Sequence, residues 1–429
     1  RLAQKFYRLE LYSSLLESTN INVAEVTRFV KNIEEKLVQK SQEIIFLEVE
    51  LAQLSNKRWQ GLLKARELKI YHQFLRHLHE QAKHTLTEPE EKILAEKGQT
   101  SWQALTHLFS ITTNTLQIPW DNKRVTIDEV LVYLRDPDPS LRQQAALALH
   151  EGLKNNDKKT PAIYNSLIND KKINYRLRHY TYPEESRLLH DDVDKDTVET
   201  MVRAVRDNDA MVANYYHLKK KILQTKTLYW WDRYAPLPRP KTAITIDKAK
   251  TMVREAYHDF SPQVGTIVQT MYDQRHIDWL PSPTKRGGAF CYYAGQDLYP
   301  YVFLNYNNDL RDVMTLAHEL GHAVHDVLAK ENNVFFQTHP SLALAEIAST
   351  FGESLVFEQL MRSDITKDDK LALLLAKIED IFATIHRQVT MFQFEQKIHN
   401  ARREKGELAK DEIDTLWHDT MKAPYGNTM

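Results

Sequence analysis

Glycine and proline are scarce in this chain, 11 and 15 among 429 residues. Turns and strand ends lean on those two residues, so a turn-dense, all-β architecture is disfavoured, and the abundance of Leu, Ala, Lys and Glu favours helices. From Arg1 to about Asp170, Leu, Ile, Val and Phe recur at helical spacing among Lys, Glu and Gln. At roughly 100–200 residues per domain this length predicts two or three packed units. The periodicity breaks between Tyr175 and Pro183, which places an N-terminal helical lobe over residues 1–180 and a second lobe over residues 181–429.

The second lobe opens on a helical pattern from Val193 to Leu223. Thr227 to Pro240 reads as a strand or extended segment leaving through a rigid loop at Pro236, Pro238 and Pro240. Helix returns from Ile246 to Asp273, and Ala289 to Tyr293 and Tyr299 to Tyr306 then read as two short strands joined by a turn. Beyond Asp309 the pattern is helical nearly to the end. The expected fold class is therefore mainly α, with one small β-sheet just before the helix that follows Asp309.

Lys plus Arg (57) nearly balances Asp plus Glu (58), so no broad electropositive surface for nucleic acid is expected. No apolar run reaches membrane-spanning length, and no membrane partner is expected. The one cysteine, Cys291, has no partner for an internal disulfide, which fits a reducing, cytoplasmic compartment. The chain opens on Arg1 without a methionine and stops just after a helical segment, which predicts that a longer protein continues beyond both ends.

The chemistry concentrates in Thr315 to His325, which contains His318-Glu319-Leu320-Gly321-His322, an H-E-x-x-H pattern. Residues four apart on a helix lie one turn apart on the same face, so His318 and His322 can present ring nitrogens to one zinc ion. Glu319 sits about 100° round the helix, where a carboxylate can take a proton from a water beside the metal. Such a pattern also arises by chance. Here, however, Leu316, Leu320, Val324 and Val327 surround it, and Asn308 or Asp309 can cap the helix, so three polar groups interrupt an apolar face that would not bury them without a task.

A catalytic zinc needs a third protein ligand and an open fourth position. Glu346, amid Leu342, Ala343, Leu344, Ala345 and Ile347, is the expected third ligand, because an ionised carboxylate in apolar surroundings requires a partner. Glu353 lies two turns further on and is either an orienting acceptor for a ligating histidine or a surface carboxylate. His325 competes for the third place, but it lies about 10 Å along the helix axis from His318, so the three histidines of a straight helix do not easily converge on one ion and a packed or polar role is favoured for it. The longer H-E-x-x-H-x-x-G-x-x-H pattern is absent, since His325 and Leu328 occupy its later positions.

At these residues the sequence resembles the oligoendopeptidase F branch of the thimet-oligopeptidase family of zinc metallopeptidases. Lys285 to Phe290, Tyr301 to Asn305, Thr315 to His325 and Ala345 to Glu353 carry the resemblance, with support from Trp231 to Pro236 and Ile381 to Gln388. It implies two helical lobes around a deep substrate channel and hydrolysis of internal bonds in short unfolded oligopeptides. It also implies one zinc per chain on His318, His322 and Glu346, with Glu319 as general base. In the family, tyrosine and histidine donors for the oxyanion come from a stretch beyond the position of Met429. Tyr299, Tyr301, Tyr306 and His339 are possible substrate contacts, each also readable as ordinary packing. An exposed edge of the strand Tyr301 to Asn305 is expected to pair with a peptide backbone.

Two other readings stand beside this one. A catalytically incomplete fragment could keep zinc as a structural pin, which would call for four protein ligands. An exopeptidase of similar build would show a second histidine-glutamate pair downstream, and Ala345-Glu346-Ile347-Ala348 lacks it.

Overall fold

The computed structural model describes residues 2–21, 23–237 and 243–428, so Pro238 and Pro240 lie outside the described residues. The fold is mainly α, as the scarcity of helix breakers predicts, with two small sheets. The chain groups into two compact units, each assembled from three separate stretches: Arg1–Lys92, His190–Asp192 and Pro240–Lys370 in one, and Ile93–Leu189, Val193–Arg239 and Leu371–Met429 in the other. The sequence reading places a single boundary near residue 180. Helical periodicity reveals which face of a helix is buried, but not which distant helix covers it.

The first unit carries the H-E-x-x-H motif on a helix spanning Leu310–Asn332. Asp309 caps it: its side chain accepts from the Arg311 N–H at 3.0 Å, and Asp312 reaches back to the Asp309 N–H at 3.1 Å. Val313, Leu316, Ala317, Leu320, Ala323 and Val327 are fully buried along its inner face. Helix Leu342–Arg362 packs along it, and helices Ile246–Phe260 and Pro262–Asp273 buttress the pair. The single helix expected from Ile246 to Asp273 is thus broken at Ser261-Pro262. A proline there supplies no N–H, a loss that the first turn of a new helix tolerates.

This unit also holds a three-stranded sheet in the order β3 (Ile277–Asp278), β5 (Tyr301–Phe303), β4 (Phe290–Tyr292). β4 pairs antiparallel with β5, Cys291 opposite Val302, and β3 pairs parallel on the other side. The edge expected at Tyr301 to Asn305 is therefore corrected: that strand is central, and β4 is an edge. The reading missed β3 because two residues carry no alternation to detect. Lys285 ties the sheet together, its Nζ donating to the carbonyls of Leu304 at 2.6 Å and Leu280 at 2.8 Å and lying 3.0 Å from Asp278 Oδ1.

The second unit contains an antiparallel hairpin, β1 (Ile118–Trp120) with β2 (Lys123–Val125), inside the stretch read as wholly helical. Asp121 and Asn122 take positive φ at its turn, a conformation that short polar side chains tolerate. Ile118, Val130 and Ala145 are fully buried in the core beneath it. The extended segment expected at Thr227 to Pro240 includes instead a 3₁₀ helix over Trp230–Tyr234. It is fixed by a buried ion pair in which Asp232 Oδ1 accepts from Nε and Nη2 of Arg142 at 3.0 and 2.9 Å. The helix expected from Val193 to Leu223 divides at Asn208 into Lys195–Asp207 and Asp209–Ile222.

Candidate metal centre

His318 and His322 lie one turn apart on the motif helix with ring centroids 4.9 Å apart. Glu346 comes to them from helix Leu342–Arg362, its Oε2 lying 3.4 Å from His318 Nε2 and 3.7 Å from His322 Nε2. One donor atom from each of the three residues falls within 4.8 Å of the others. Two donors held about 2.0–2.1 Å from a tetrahedral zinc are roughly 3.4 Å apart, so the donor set and its spacing fit a single ion. His325 has no place in the cluster.

Two glycines allow this meeting of helices. A Cβ on Gly321, the glycine inside the motif, would lie 2.5 Å from the Ala348 carbonyl oxygen, and one on Gly352 would lie 2.9 Å from the Ala317 carbonyl oxygen. Backbone meets backbone at both points, which brings Glu346 within reach of the histidines. The buried hydroxyl of Tyr257 adds a clamp by donating to the same Ala317 carbonyl at 2.7 Å. Sequence reasoning missed Gly321, Gly352 and Tyr257 as positioning residues. The visible signal was a glycine within an otherwise strong helix, where it costs helix propensity and calls for a packing reason.

Around the donors, His318 Nδ1 lies 2.7 Å from Glu353 Oε1. With its proton on Nδ1, the ring leaves Nε2 free to face Glu346 and His322. Ser349 Oγ donates to Glu346 Oε2 at 2.6 Å. Glu346 is half exposed, so the expectation that burial creates its need for a partner does not hold. Its neighbours Leu342, Leu344 and Ile347 are exposed as well. What assembles the carboxylate with the imidazoles is the helix crossing.

Glu319 is buried, with 6% of its surface exposed, and its carboxylate accepts from the Cys291 N–H of β4. Burial pushes its carboxyl up to about 7; His318 and the Cys291 backbone N–H pull it down, and the charge of Glu346 pushes it up. Burial acts to lower the basicity of His318, but the hydrogen bond that its Nδ1–H donates to Glu353 and the surrounding carboxylates outweigh it and leave the ring raised. At His322 burial wins and the ring is lowered, against the pull of Glu346. One turn further along, burial pushes the carboxyl of Asp326 up to about 7, opposed by Lys330. The arrangement is a set of imidazole-nitrogen and carboxylate donors beside a buried carboxyl whose pKa is raised to about 7.

The other candidate contacts do not join the cluster. Tyr301 stacks on His276 at 4.6 Å and Tyr299 lies edge-on to the same ring, while the buried Tyr306 donates to the Ile244 carbonyl at 2.9 Å. His339 packs edge-on against Tyr7 and Tyr293.

A mainly helical body with H-E-x-x-H and a downstream glutamate on crossing helices is the arrangement of a metallopeptidase. Residues 132–429 match peptidase family M3 and residues 50–117 match oligopeptidase F, so the chain belongs to peptidase family M3, a family of zinc metallopeptidases. It is 26% identical to the group B oligopeptidase PepB of Streptococcus agalactiae, over all of this chain and 72% of that protein. It is 28% identical to an oligoendopeptidase F homolog of Borreliella burgdorferi, over 87% of this chain and 64% of that one. Its fold matches the crystal structure of a candidate peptidase from Chlamydophila abortus with a TM-score of 0.82 at 24% identity, over 100% of this chain and 73% of that one. The chain thus spans between about two thirds and three quarters of these proteins.

Proposed function

We propose that this chain is a zinc-dependent endopeptidase acting on internal bonds of short unfolded oligopeptides, with one zinc per chain held by His318, His322 and Glu346. The convergence of those donors from two helices within 4.8 Å carries the reading. When bound there, zinc would supply Lewis acidity toward a peptide carbonyl and lower the pKa of a water molecule. Glu319 acts as general base: it accepts that water's proton and delivers it to the leaving amine, a role suited to a carboxyl poised near neutrality. Glu353 holds the His318 ring, and Ser349 holds Glu346.

A substrate backbone would be gripped along the edge strand β4, whose Cys291 N–H is directed at Glu319, with main-chain hydrogen bonds that read little sequence. Three donors rather than four among the described residues favour catalysis over a structural pin. Peptides are thus the partners of this reading, and nucleic acid and membrane are not. No described helix is long and apolar enough to cross a membrane. A cytoplasmic setting, supported by the unpaired Cys291, belongs to the proposal too. The test is zinc content after dialysis: wild type should retain about one equivalent, and His322→Ala and Glu346→Ala should lose it while staying folded. Full retention by both variants would refute the ligand set.

A further inference from the structure

In the second compact unit, the guanidinium groups of Arg233 and Arg387 have no carboxylate partner among the described residues. Arg233 lies in the 3₁₀ helix Trp230–Tyr234, and Arg387 closes a π-helical turn, Ala383–Arg387, of a kind that recurs at functional positions. Both side chains are half-buried. Arg387 donates from Nη1 to the Tyr234 hydroxyl at 2.6 Å. Arg233 Cζ lies 5.1 Å from the centre of the Tyr425 ring and 6.0 Å from that of Tyr234. Both cations act on the Tyr425 hydroxyl, so they share one neighbourhood.

In each arginine, Nε is buried and has no hydrogen-bond acceptor among the described residues. A guanidinium lying over a ring cannot donate to the face it covers, so its N–H groups are directed sideways in its own plane. The nearby carboxylates are already engaged. Asp232 is held by Arg142, and Glu379 accepts from Lys219 at 2.6 Å and from Tyr215 at 2.7 Å. Positive charge and unused donors are therefore assembled where no residue of the neighbourhood answers them.

We propose that Arg233 and Arg387 form a binding site for a ligand's carboxylate group, with Tyr425 as its platform and Tyr234 fixing the tilt of Arg387. Paired N–H donors in a planar fork match the two oxygens of a carboxylate. A peptide's terminal carboxylate is the one a peptidase meets, and in that choice of ligand the inference rests on the proposed function. The site itself uses none of the metal-binding residues.

The test is calorimetric titration of the 429-residue chain carrying Glu319→Gln to suppress turnover, with tetra-alanine as free acid, tetra-alanine as C-terminal amide, and inorganic phosphate. The acid should bind at least tenfold more tightly than the amide or phosphate. Arg233→Gln and Arg387→Gln should each abolish that preference with the amide's affinity unchanged. Arg387→Lys, which keeps the charge and loses the fork, should lower the acid's affinity several-fold, and it decides the matter where the Gln variants fail to fold. Equal affinity for acid and amide, absence of binding by both included, would overturn the site. So would phosphate binding as tightly as the acid, a preference that survives both Gln variants, or an unchanged acid affinity in Arg387→Lys. Zinc content measured on the Glu319→Gln parent, which keeps both arginines, separates the two readings: no acid preference with zinc bound overturns this site alone, and no zinc with the preference present overturns the metal assignment alone.

Discussion

Glu353 Oε1 lies 2.7 Å from His318 Nδ1, across two helices joined by a loop rather than along one of them. The contact sets both the tautomer and the tilt of the ring, so the free lone pair is on the nitrogen facing Glu346. Glu353→Gln should lower zinc affinity about 10–100-fold, as the loss of such an outer partner typically does, with little change in folding. Competition against a zinc-chelating dye measures it, and unchanged affinity would make Glu353 a mere packing residue.

Gly321→Ala sets two effects against each other. In an exposed helix interior the exchange gains up to about 1 kcal/mol in propensity. Here the new methyl would sit 2.5 Å from the Ala348 carbonyl oxygen, which cannot yield without parting the helices. Overpacking of this kind costs about 1–3 kcal/mol, so the variant should be less stable in urea and should hold zinc more weakly. A more stable variant would show that the crossing is looser than described.

Asp326 makes stability depend on pH in an uncommon direction. Burial raises its folded-state carboxyl to about 7, above the value near 4 of an unfolded chain. Between those values the folded state binds the extra proton, so this residue's contribution declines as pH rises from about 4 to 7 and is flat above. Asp326→Asn should therefore raise the melting temperature at pH 8 and leave it nearly unchanged at pH 4. Equal gains at both pH values would contradict the assignment.

Lys285 is almost fully buried and donates to the carbonyls of Leu280 and Leu304, which follow the neighbouring strands β3 and β5. Lys285→Met keeps the volume and leaves those oxygens unanswered, which should cost about 2–4 kcal/mol in chemical denaturation. A cost near zero would mean that water takes over both carbonyls.

The sequence made the candidate metal donors legible because their spacing is chemical: two histidines one turn apart need no knowledge of tertiary structure. Glu346 was legible as a carboxylate in an apolar stretch, although it proved half exposed. What placed it, the close passage at Gly321 and Gly352, depends on which helices cross, and periodicity along one helix cannot reveal that. Strand order was illegible for a related reason. Runs of two or three residues carry no alternation, so the central place of Tyr301–Phe303 had no local sign. Asp232 was noted only within a family-like stretch, and its buried pairing with Arg142 joins residues 90 apart in sequence.

The central claim is that Glu319 moves the proton while His318, His322 and Glu346 hold the metal. Cleavage of an internally quenched peptide by the wild-type protein and by Glu319→Gln, each with its zinc content determined, tests it most directly. The account predicts equal zinc in both and a loss of turnover in the variant of at least about 10²–10⁴-fold, the usual contribution of a positioned base. A Glu319→Gln protein that keeps its zinc and cleaves at the wild-type rate would contradict it.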